Sequence, residues 1–573
     1  MLAGPIFSRE ALTAPRQLRH YLIRSGYVAV LFVLMYTAAQ ATFGWQEVRN
    51  LGDLARFGSL VFQVFSLVQL ALVLFFALLF TAGSIAQEKD RRTLILLLMT
   101  DLRDRELVLG KLAASSLIVA VLLATSLPVF ALVHMLGGVS REQLVWSLAI
   151  SAATAMAAAS WGALAAFWRE KTFQTLAVGV LGVVGFLGVV ELAVGVTGTA
   201  WPAAARVAAA FDPFRGMLSI LDPLSGHPET GPMRVSAWGT VLAMLGLSAA
   251  LGLATVLRLR VWNPPRAVYE GTRPAEATRA QARAVWHNPV VWREIRTRAY
   301  GRKIVVIKLA YLALAGALLA WLARAGSSGD QIVGVISPTG FAFVALALLS
   351  LLLINAQSVT ALTSERDAGT LELLLVTDVT AREFIFGKVG GVLYNTKELI
   401  AVPLALAGWA LSRGDLSGEN FVCLLLGFAV LAGFATMLGL HAGLSYESSR
   451  SAIANSLGTM FFLFIGIFIF MILLVETSGS FALQIQSFLV FIVVGSIALQ
   501  ASLTRKNPST ALTLAAWLAP FLTFYAITSY LLGEPLATLL AVCAAYGFAT
   551  VAMTIPAVSD FDVALGRTTA DKG

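Results

Sequence analysis

The sequence has few charged residues. Only 13% of its 573 residues are Asp, Glu, Lys or Arg, whereas 58% are hydrophobic and the mean hydropathy is +0.81. Soluble proteins carry about 25% charged residues, so this composition excludes a soluble multidomain protein and an intrinsically disordered chain. Uninterrupted apolar runs of about 20 residues argue against a membrane β-barrel. The composition therefore predicts an all-α polytopic membrane protein, a helical bundle.

Motifs for catalysis and metal binding are missing as well. The two cysteines lie in separate apolar stretches and the five histidines are scattered, so we expect neither a disulfide framework nor a metal site. A phosphate loop is also absent, because Gly110-Lys111 and Gly387-Lys388 are followed by aliphatic residues instead of Ser or Thr. We therefore predict that the chain is not an enzyme, has no catalytic residues and binds no cofactor itself.

Apolar runs long enough to cross a bilayer occur fourteen times, which predicts about 12–14 transmembrane helices. The predicted spans are 22–43, 60–86, 112–136, 143–168, 173–197, 235–257, 304–323, 338–363, 389–411, 421–444, 452–475, 482–503, 511–532 and 536–558. We predict four regions: a six-span domain at 1–257, a basic linker with an interfacial helix at 258–303, a second six-span domain at 304–503, and an extra helix pair with a tail at 504–573.

The basic residues are distributed unevenly between the two sides of the predicted membrane. If the N-terminus is cytoplasmic, the connections on that side hold 31 Lys and Arg residues and those on the other side hold 8. Lys and Arg concentrate in cytoplasmic loops, where they face anionic lipid. We therefore predict a multi-pass protein of the cytoplasmic (inner) membrane with both termini in the cytoplasm. This distribution accounts for the net charge of +9 by contact with membrane lipid, without a nucleic-acid partner.

Two loops repeat the same sequence. The first is EKDRRTLILLLMTDLRDRELVLGK at 88–111 (the first loop segment), and the second is ERDAGTLELLLVTDVTAREFIFGK at 365–388 (the second loop segment). More than half of their positions are identical at a constant spacing of 277. A shorter match joins GPIFSRE at 4–10 with NPVVWRE at 288–294. Both loop segments follow an even number of spans, so we predict two parallel pseudo-repeats related by an axis along the membrane normal.

The apolar run inside each loop segment needs a partner. TLILLLMT and TLELLLVT are too short to span a bilayer and too apolar to lie in water unaided. The leucines either pack against the ends of their own helical bundle or form a docking surface for another protein. The sequence alone leaves both interpretations open.

These residues resemble a known family. The two loop segments resemble the loop after the second span in permease subunits of type-2 ABC exporters, and NPVVWREIRTRAYGRK at 288–303 is similar to the interfacial helix before the first span of such proteins. The resemblance implies two permease domains fused in tandem, a separate cytoplasmic ATP-binding subunit in two copies that holds ATP and Mg, and coupling through the loop segments. The coupling residues implied in this way are Glu88, Thr93, Leu96, Leu97, Thr100, Asp101, Glu365, Gly369, Thr370, Leu373, Leu374, Thr377 and Asp378.

The two loop segments differ where the family has a glycine. The second loop segment has Gly369 before its Thr-Leu pair, whereas the first has Arg92. We therefore expect the two segments to dock unequally.

A polar stretch interrupts the predicted span 389–411. If that helix begins near Lys388, Lys397 lies about 13 Å along it, near the middle of the bilayer. Lys397 and Glu398 are adjacent and so are poorly placed to pair with each other. They form either a buried polar contact that fastens one span to another, or part of a translocation path or gate. The candidate path residues are Asn395, Lys397 and Glu398.

Two other functions remain open beside an ATP-driven exporter. An ion-coupled secondary transporter would carry ionisable residues on broken helices near the middle of the membrane. A membrane docking scaffold or sensor would use the same loops to bind a partner without moving a substrate.

Overall fold

The chain is almost entirely helical. The computed structural model describes residues 7–8, 18–43, 50–221, 235–264, 286–296, 304–325, 336–371, 377–476, 481–505 and 509–564. Within these ranges there is no β-strand, and eleven helices are long and apolar enough to cross a membrane. The predicted fold class, a polytopic helical membrane protein, is therefore confirmed.

The helices of the N-terminal half are separated by short connections. In chain order they are α1 Leu18–Phe43, α2 Leu51–Asp90, α3 Thr93–Leu98, α4 Asp104–Leu136, α5 Arg141–Trp168, α6 Thr172–Ala200, α7 Pro202–Ala209, α8 Pro213–Leu221 and α9 Ala237–Trp262.

The C-terminal half begins with a short amphipathic helix, α10 Pro289–Arg296. The helices after it are α11 Ile304–Ala325, α12 Pro338–Asp367, α13 Ala381–Asn395, α14 Lys397–Arg413, α15 Gly418–Ser445, α16 Ser449–Glu476, α17 Phe481–Leu503, α18 Thr510–Leu531, α19 Pro535–Val542 and α20 Phe548–Ala564. A π-helical turn, Cys543–Gly547, joins α19 to α20 without a break in the helix.

Side-chain caps fix where several helices begin. Ser140 accepts a hydrogen bond from the Gln143 amide at the start of α5, and the Gln143 side chain in turn accepts one from the Ser140 amide. Thr380 and Glu383 form the same reciprocal cap at the start of α13. These capping boxes satisfy amide groups that a helix leaves free in its first turn.

Three of the fourteen predicted spans do not correspond to any of the eleven described helices that are long and apolar enough to cross a membrane. The run 22–43 lies in α1, and the apolar part described in α17 is limited to Phe488–Leu503. The predicted continuous span 389–411 is wrong, because Thr396 divides it into α13 and α14. The Thr396 backbone leaves the helical conformation at this break, with φ of −103° and ψ of 10°.

The structure divides into two compact units. Described residues of the first compact unit fall within 1–170, 178–265 and 476–491, and those of the second within 171–177, 266–475 and 492–573.

In the first compact unit, α5 packs against both α2 and α9. Small residues let these helices approach closely, since a Cβ at Gly162 would lie 2.8 Å from the Leu78 carbonyl oxygen. Buried hydroxyl pairs join the same helices: Ser147 donates to Ser66 at 3.0 Å, and the Ser160 and Ser248 hydroxyls are 2.8 Å apart.

In the second compact unit, α12 packs against α15 in the corresponding way. A Cβ at Gly439 would lie 2.8 Å from the Asn355 carbonyl oxygen, so this crossing also requires glycine. Gly439 and Asn355 are the repeat equivalents of Gly162 and Leu78. The two units therefore contain the same close helix crossing at equivalent positions of the repeat.

Candidate functional site

The first loop segment forms a compact turn between two long helices. α2 ends at Asp90, the short helix α3 follows, and α4 begins at Asp104. Arg92 connects α2 to α3 in the left-handed conformation, with φ of 59°. Among the described residues it is the one non-glycine with positive φ. Glycine adopts this conformation without a steric penalty, so the first loop segment has a strained residue where the second has Gly369.

The short helix α3 has two distinct faces. Leu94 and Leu98 are buried in an apolar cluster with residues of α2, α4, α5 and α9. Leu96 is 64% exposed and Met99 at its end is 59% exposed. Packing against the bundle therefore accounts for one face of α3, whereas the other face is exposed in this chain and leaves the docking interpretation a prediction.

An ion pair joins the two ends of the first loop segment. The Lys111 ammonium of α4 donates to the Glu88 carboxylate of α2. One residue later, the Lys89 ammonium donates to the carbonyls of Phe167 at 2.5 Å and Arg169 at 2.9 Å, at the end of α5. Cations stabilise the free carbonyls of a helix C-terminus. The loop segment is therefore held against both α4 and α5 by charged contacts.

The second loop segment has a larger buried ion cluster at the equivalent place. The Lys388 ammonium lies 2.6 Å from a Glu294 oxygen and 2.8 Å from a Glu365 oxygen, and it also donates to the Ala361 carbonyl at 3.2 Å. The Lys388 and Glu294 side chains are each 1% exposed. Arg293 also pairs with Glu365. The cluster therefore connects the amphipathic helix α10 to α12 and α13.

Two glycines bring α10 close to α13. A Cβ at Gly387 would lie 2.8 Å from the Val290 side chain, and one at Gly391 would lie 2.5 Å from the Glu294 side chain. The Asn288 side chain donates to the Glu383 carbonyl at 2.9 Å where the two helices begin. This close packing places Glu294 beside Lys388 in the buried cluster.

The contact with the end of the fourth span also recurs. Arg366, the repeat equivalent of Lys89, donates to the carbonyls of Gly443 at 3.0 Å and of Tyr446 at the end of α15. Tyr446 is the repeat equivalent of Arg169. Lysine and arginine thus make the same helix-capping contact in the two halves.

Thr93 and Thr370, which follow the left-handed residue of each loop segment, make equivalent hydrogen bonds. The Thr93 hydroxyl donates to the Glu88 carbonyl at 3.2 Å, and the Thr370 hydroxyl donates to the Glu365 carbonyl at 3.1 Å. Gly369 has a φ of +69° at the position that Arg92 occupies in the first loop segment. Both segments therefore leave their helix through the same left-handed turn.

The remaining predicted coupling residues lie at the edges of these turns. Leu97 packs partly against the buried cluster, and its carbonyl accepts a hydrogen bond from the Thr100 hydroxyl at 2.6 Å. Asp101, Thr377 and Asp378 are exposed. Leu373 and Leu374 lie outside the described residues.

The three candidate path residues contact different partners. The Asn395 side chain donates to the Glu294 carbonyl at 3.4 Å, and the Lys397 ammonium lies 4.4 Å from the centre of the Tyr394 ring. Glu398 pairs with Lys308 of α11 at 2.7 Å. The premise that placed Lys397 about 13 Å along a helix starting near Lys388 is wrong, because α13 begins at Ala381 and ends before Lys397.

Sequence reasoning missed several residues that hold the loop segments. Lys89 and Arg366 are not identical, so a count of identities passes over them, although both are basic. Glu294 lies in the short NPVVWRE match, and its charge opposite to that of Lys388 was the available signal. No local pattern predicted that Glu294 and Lys388 would meet, because they are far apart in the chain.

A second charged cluster lies outside the loop segments in the first compact unit. Arg215 of α8 holds Glu191 of α6 through two hydrogen bonds, at 2.5 and 2.6 Å. Asp212, at the start of α8, accepts a hydrogen bond from the Phe214 amide at 2.9 Å. Burial and the neighbouring Glu191 carboxyl raise the pKa of Asp212 to about 6.

Comparison with known proteins identifies one family. The sequence description of the ABC-2 family of transporter proteins matches residues 26–324, slightly more than half of the chain. The match includes α2 to α9, the first loop segment and α10. Comparison with curated proteins and with solved structures gives no match. Together with the eleven apolar helices, the family match shows that this chain belongs to the ABC-2 transporter family, as a multi-pass membrane component of an ABC transporter.

Proposed function

We propose that the chain is a fused pair of permease domains that moves a substrate outward across the cytoplasmic membrane. A separate cytoplasmic ATP-binding subunit supplies the energy, and each loop segment binds one copy of it. The single observation that supports this proposal is the recurrence of one framework at a spacing of 277: Glu88 with Lys111, and Glu365 with Lys388. Two such frameworks in one chain match the two ATP-binding subunits of a complete ABC transporter.

The uncovered face of α3 supplies the contact surface in the first loop segment. Leu96 and Met99 are exposed beside Arg91 and Arg92, which are exposed as well. A partner that covers them needs an apolar groove with an acidic rim.

A movement of α3 would be transmitted to the long helices through the buried face of α3. Leu94 and Leu98 share one apolar cluster with Ile85, Leu107 and Leu259, residues of three long helices. Because packed interiors deform little, a displaced α3 displaces these helix ends together. In the second loop segment the buried Lys388 cluster connects the loop to α10 and α13 in the same manner.

We also propose that the helix break at Thr396 belongs to the gate. Lys308 and Glu398 form an ion pair next to this break, and hinges are formed by residues at the ends of helices that absorb changes in φ and ψ. Lys397→Met together with Glu398→Gln should retain the ATP-binding subunit and lower transport. Transport driven by a proton gradient instead of ATP would favour the ion-coupled alternative.

Recovery of the ATP-binding subunit with variants of the first loop segment tests the coupling role. Leu96→Asp should lower recovery, because burying an unpaired carboxylate in an apolar contact costs on the order of several kcal/mol. Leu51→Asp is the matched control, since Leu51 is 84% exposed and lies at the opposite end of α2. Unchanged recovery with Leu96→Asp would count against the coupling role, whereas unaltered transport without any bound subunit would favour a different energy source.

A further inference from the structure

The sixth span of the first half runs alongside the fourth. α9 packs along α5, with the Trp146 and Trp238 rings 4.7 Å apart near one end. Met244 of α9 shares an apolar cluster with Ala157 of α5. Near the other end, the Asn263 side chain donates to the Phe167 carbonyl at 3.1 Å. The two helices therefore run parallel from end to end.

In the second compact unit, the last helix of the chain packs along the fourth span of its half. The Phe434 ring of α15 lies 5.0 Å from the Tyr546 ring in the π-helical turn. A Cβ at Gly427 would lie 3.8 Å from the Leu539 side chain of α19. α20 continues along α15 and also contacts α13. The continuous helix formed by α19, the π-helical turn and α20 therefore runs parallel to α15.

The two pairs of helices share one register. Phe434 is the repeat equivalent of Ala157, so Tyr546 stands where Met244 stands in the first half, at a difference of 302. At the same difference, the last residue of α9, Trp262, is equivalent to the last residue of α20, Ala564.

This register also identifies a contact with the second loop segment. At the difference of 302, Phe561 is the equivalent of Leu259. Leu259 shares the buried cluster of the first loop segment with Leu107. Phe561 stacks on Phe384, the repeat equivalent of Leu107, with ring centres 4.5 Å apart and planes 18° apart. The Lys388 ammonium of the buried ion cluster lies 5.7 Å from the centre of the Phe384 ring.

We infer that the helix at 535–564 is the sixth span of the second permease half, and that Phe561 positions the second loop segment. This inference rests on the proposed function of that segment. The chain then has no helix pair appended after residue 503. Instead, α17 and α18 are an insertion between the fifth and sixth spans, the position in the chain that the short helices α7 and α8 have in the first half.

The sequence contains little indication of this equivalence. The stretches 237–262 and 539–564 are identical at only four positions when compared at a difference of 302. The last turns carry opposite charge, with Arg258 and Arg260 in the first half and Asp560 and Asp562 in the second. In the first half, Arg260 pairs with Asp104 at 2.7 Å, whereas the repeat equivalent of Asp104 is Ala381. The apolar contact is thus retained while the ion pair is not.

Cysteine cross-linking in the full chain tests the placement without any partner subunit. Cys423 and Cys543 are first replaced by serine, and a protease site is introduced at the turn 414–417 so that a cross-link keeps the two fragments together. Phe384→Cys with Phe561→Cys should cross-link in membranes. The first-half pair Leu107→Cys with Leu259→Cys should do so as well, in a chain that carries the protease site at the turn 137–140 instead. Val344→Cys with Phe561→Cys is the negative control, because Val344 lies before the protease site and near the start of α12, far from the end that leads into the second loop segment. Fragments that separate for the 384/561 pair would overturn the inference, whether or not an ATP-binding subunit binds.

The positioning role is tested separately by conservative rescue. In a Leu96→Asp background, Phe561→Ala should lower recovery of the remaining ATP-binding subunit several-fold. Phe561→Leu introduces the residue of the first half and should restore the recovery. Equal recovery with Phe561→Ala and wild-type Phe561 would overturn the positioning role, whereas loss of the cross-link would overturn the placement itself.

Discussion

At the residue scale, one backbone conformation distinguishes the two loop segments. Arg92 has a φ of 59°, where the second loop segment has Gly369 with a φ of +69°. The left-handed conformation costs a non-glycine residue about 1–2 kcal/mol. The first loop segment therefore carries local strain that the second avoids.

Replacing Arg92 with glycine should remove this strain. We expect Arg92→Gly to raise the free energy of unfolding by about 0.5–1 kcal/mol, after part of the gain is lost to the greater freedom of glycine in the unfolded chain. Gly369→Ala is the reciprocal variant and should lower stability by about 1 kcal/mol. Thermal unfolding of the purified chain measures both changes, and a destabilising Arg92→Gly would show that the Arg92 side chain matters more than its backbone.

The buried Asp212 should make stability depend on pH. Its pKa is raised from 3.8 to about 6, mainly by burial, so the folded protein holds this proton more tightly than the unfolded chain. The stabilisation is complete below about pH 4 and is lost as the pH rises through about 6. The loss should amount to about 2–3 kcal/mol.

Asp212→Asn isolates this contribution. The asparagine keeps a side-chain oxygen for the Phe214 amide but does not titrate. Its melting temperature should match that of the wild type near pH 3 and exceed it near pH 7.5. A difference between the two proteins that stays constant over this pH range would contradict the assigned pKa.

At the element scale, helix crossings at glycine hold each half together. At Gly439, an added Cβ would lie 2.6 Å from the Ser358 side chain and 2.8 Å from the Asn355 carbonyl oxygen. Helix α15 also contains Gly433, where an added Cβ would meet nothing within 4 Å. The close crossing of α12 and α15 therefore requires glycine at position 439, whereas position 433 has room for a larger residue.

This difference predicts opposite effects of the same substitution. Gly439→Ala should destabilise the chain by about 1–3 kcal/mol, because the backbones of α12 and α15 must separate to admit a methyl group. Gly433→Ala should be neutral or stabilising by up to about 1 kcal/mol, from helix propensity alone. Thermal unfolding of the two variants in the same detergent makes the comparison, and equal effects would contradict the close crossing.

Much of this element structure follows from sequence. The repeat predicted that Glu88, Lys111, Glu365 and Lys388 hold equivalent places, because identical charged residues at a constant spacing require similar surroundings. The helix break at Thr396 could not be predicted in this way, because its repeat equivalent, Val119, lies inside the continuous helix α4.

Two further features of the structure could not be predicted from the sequence, because they depend on tertiary contacts between elements that are distant in the chain. Pairing of Glu294 with Lys388 depends on how α10 packs beside α13, and two glycines permit that approach. The equivalence of α9 and the last helix is visible in the packing along α5 and α15, where burial and not residue identity is retained. Apolar helices can exchange most of their residues without changing their place in a bundle.

At the scale of the whole molecule, one chain contains two loop segments of the same construction. The first exposes Leu96 and Met99, and the second is connected to the amphipathic helix α10 by the buried ion cluster. If each loop segment binds one ATP-binding subunit, a single chain forms the membrane part of a complete transporter without a second copy of itself.

Native mass spectrometry of the complex purified in mild detergent tests this claim most directly. We predict two ATP-binding subunits on one copy of the chain. We also predict that Leu96→Asp yields complexes with one ATP-binding subunit, while Leu51→Asp still yields two. A complex with two copies of the chain and two ATP-binding subunits would contradict the proposed tandem fusion of two permease domains.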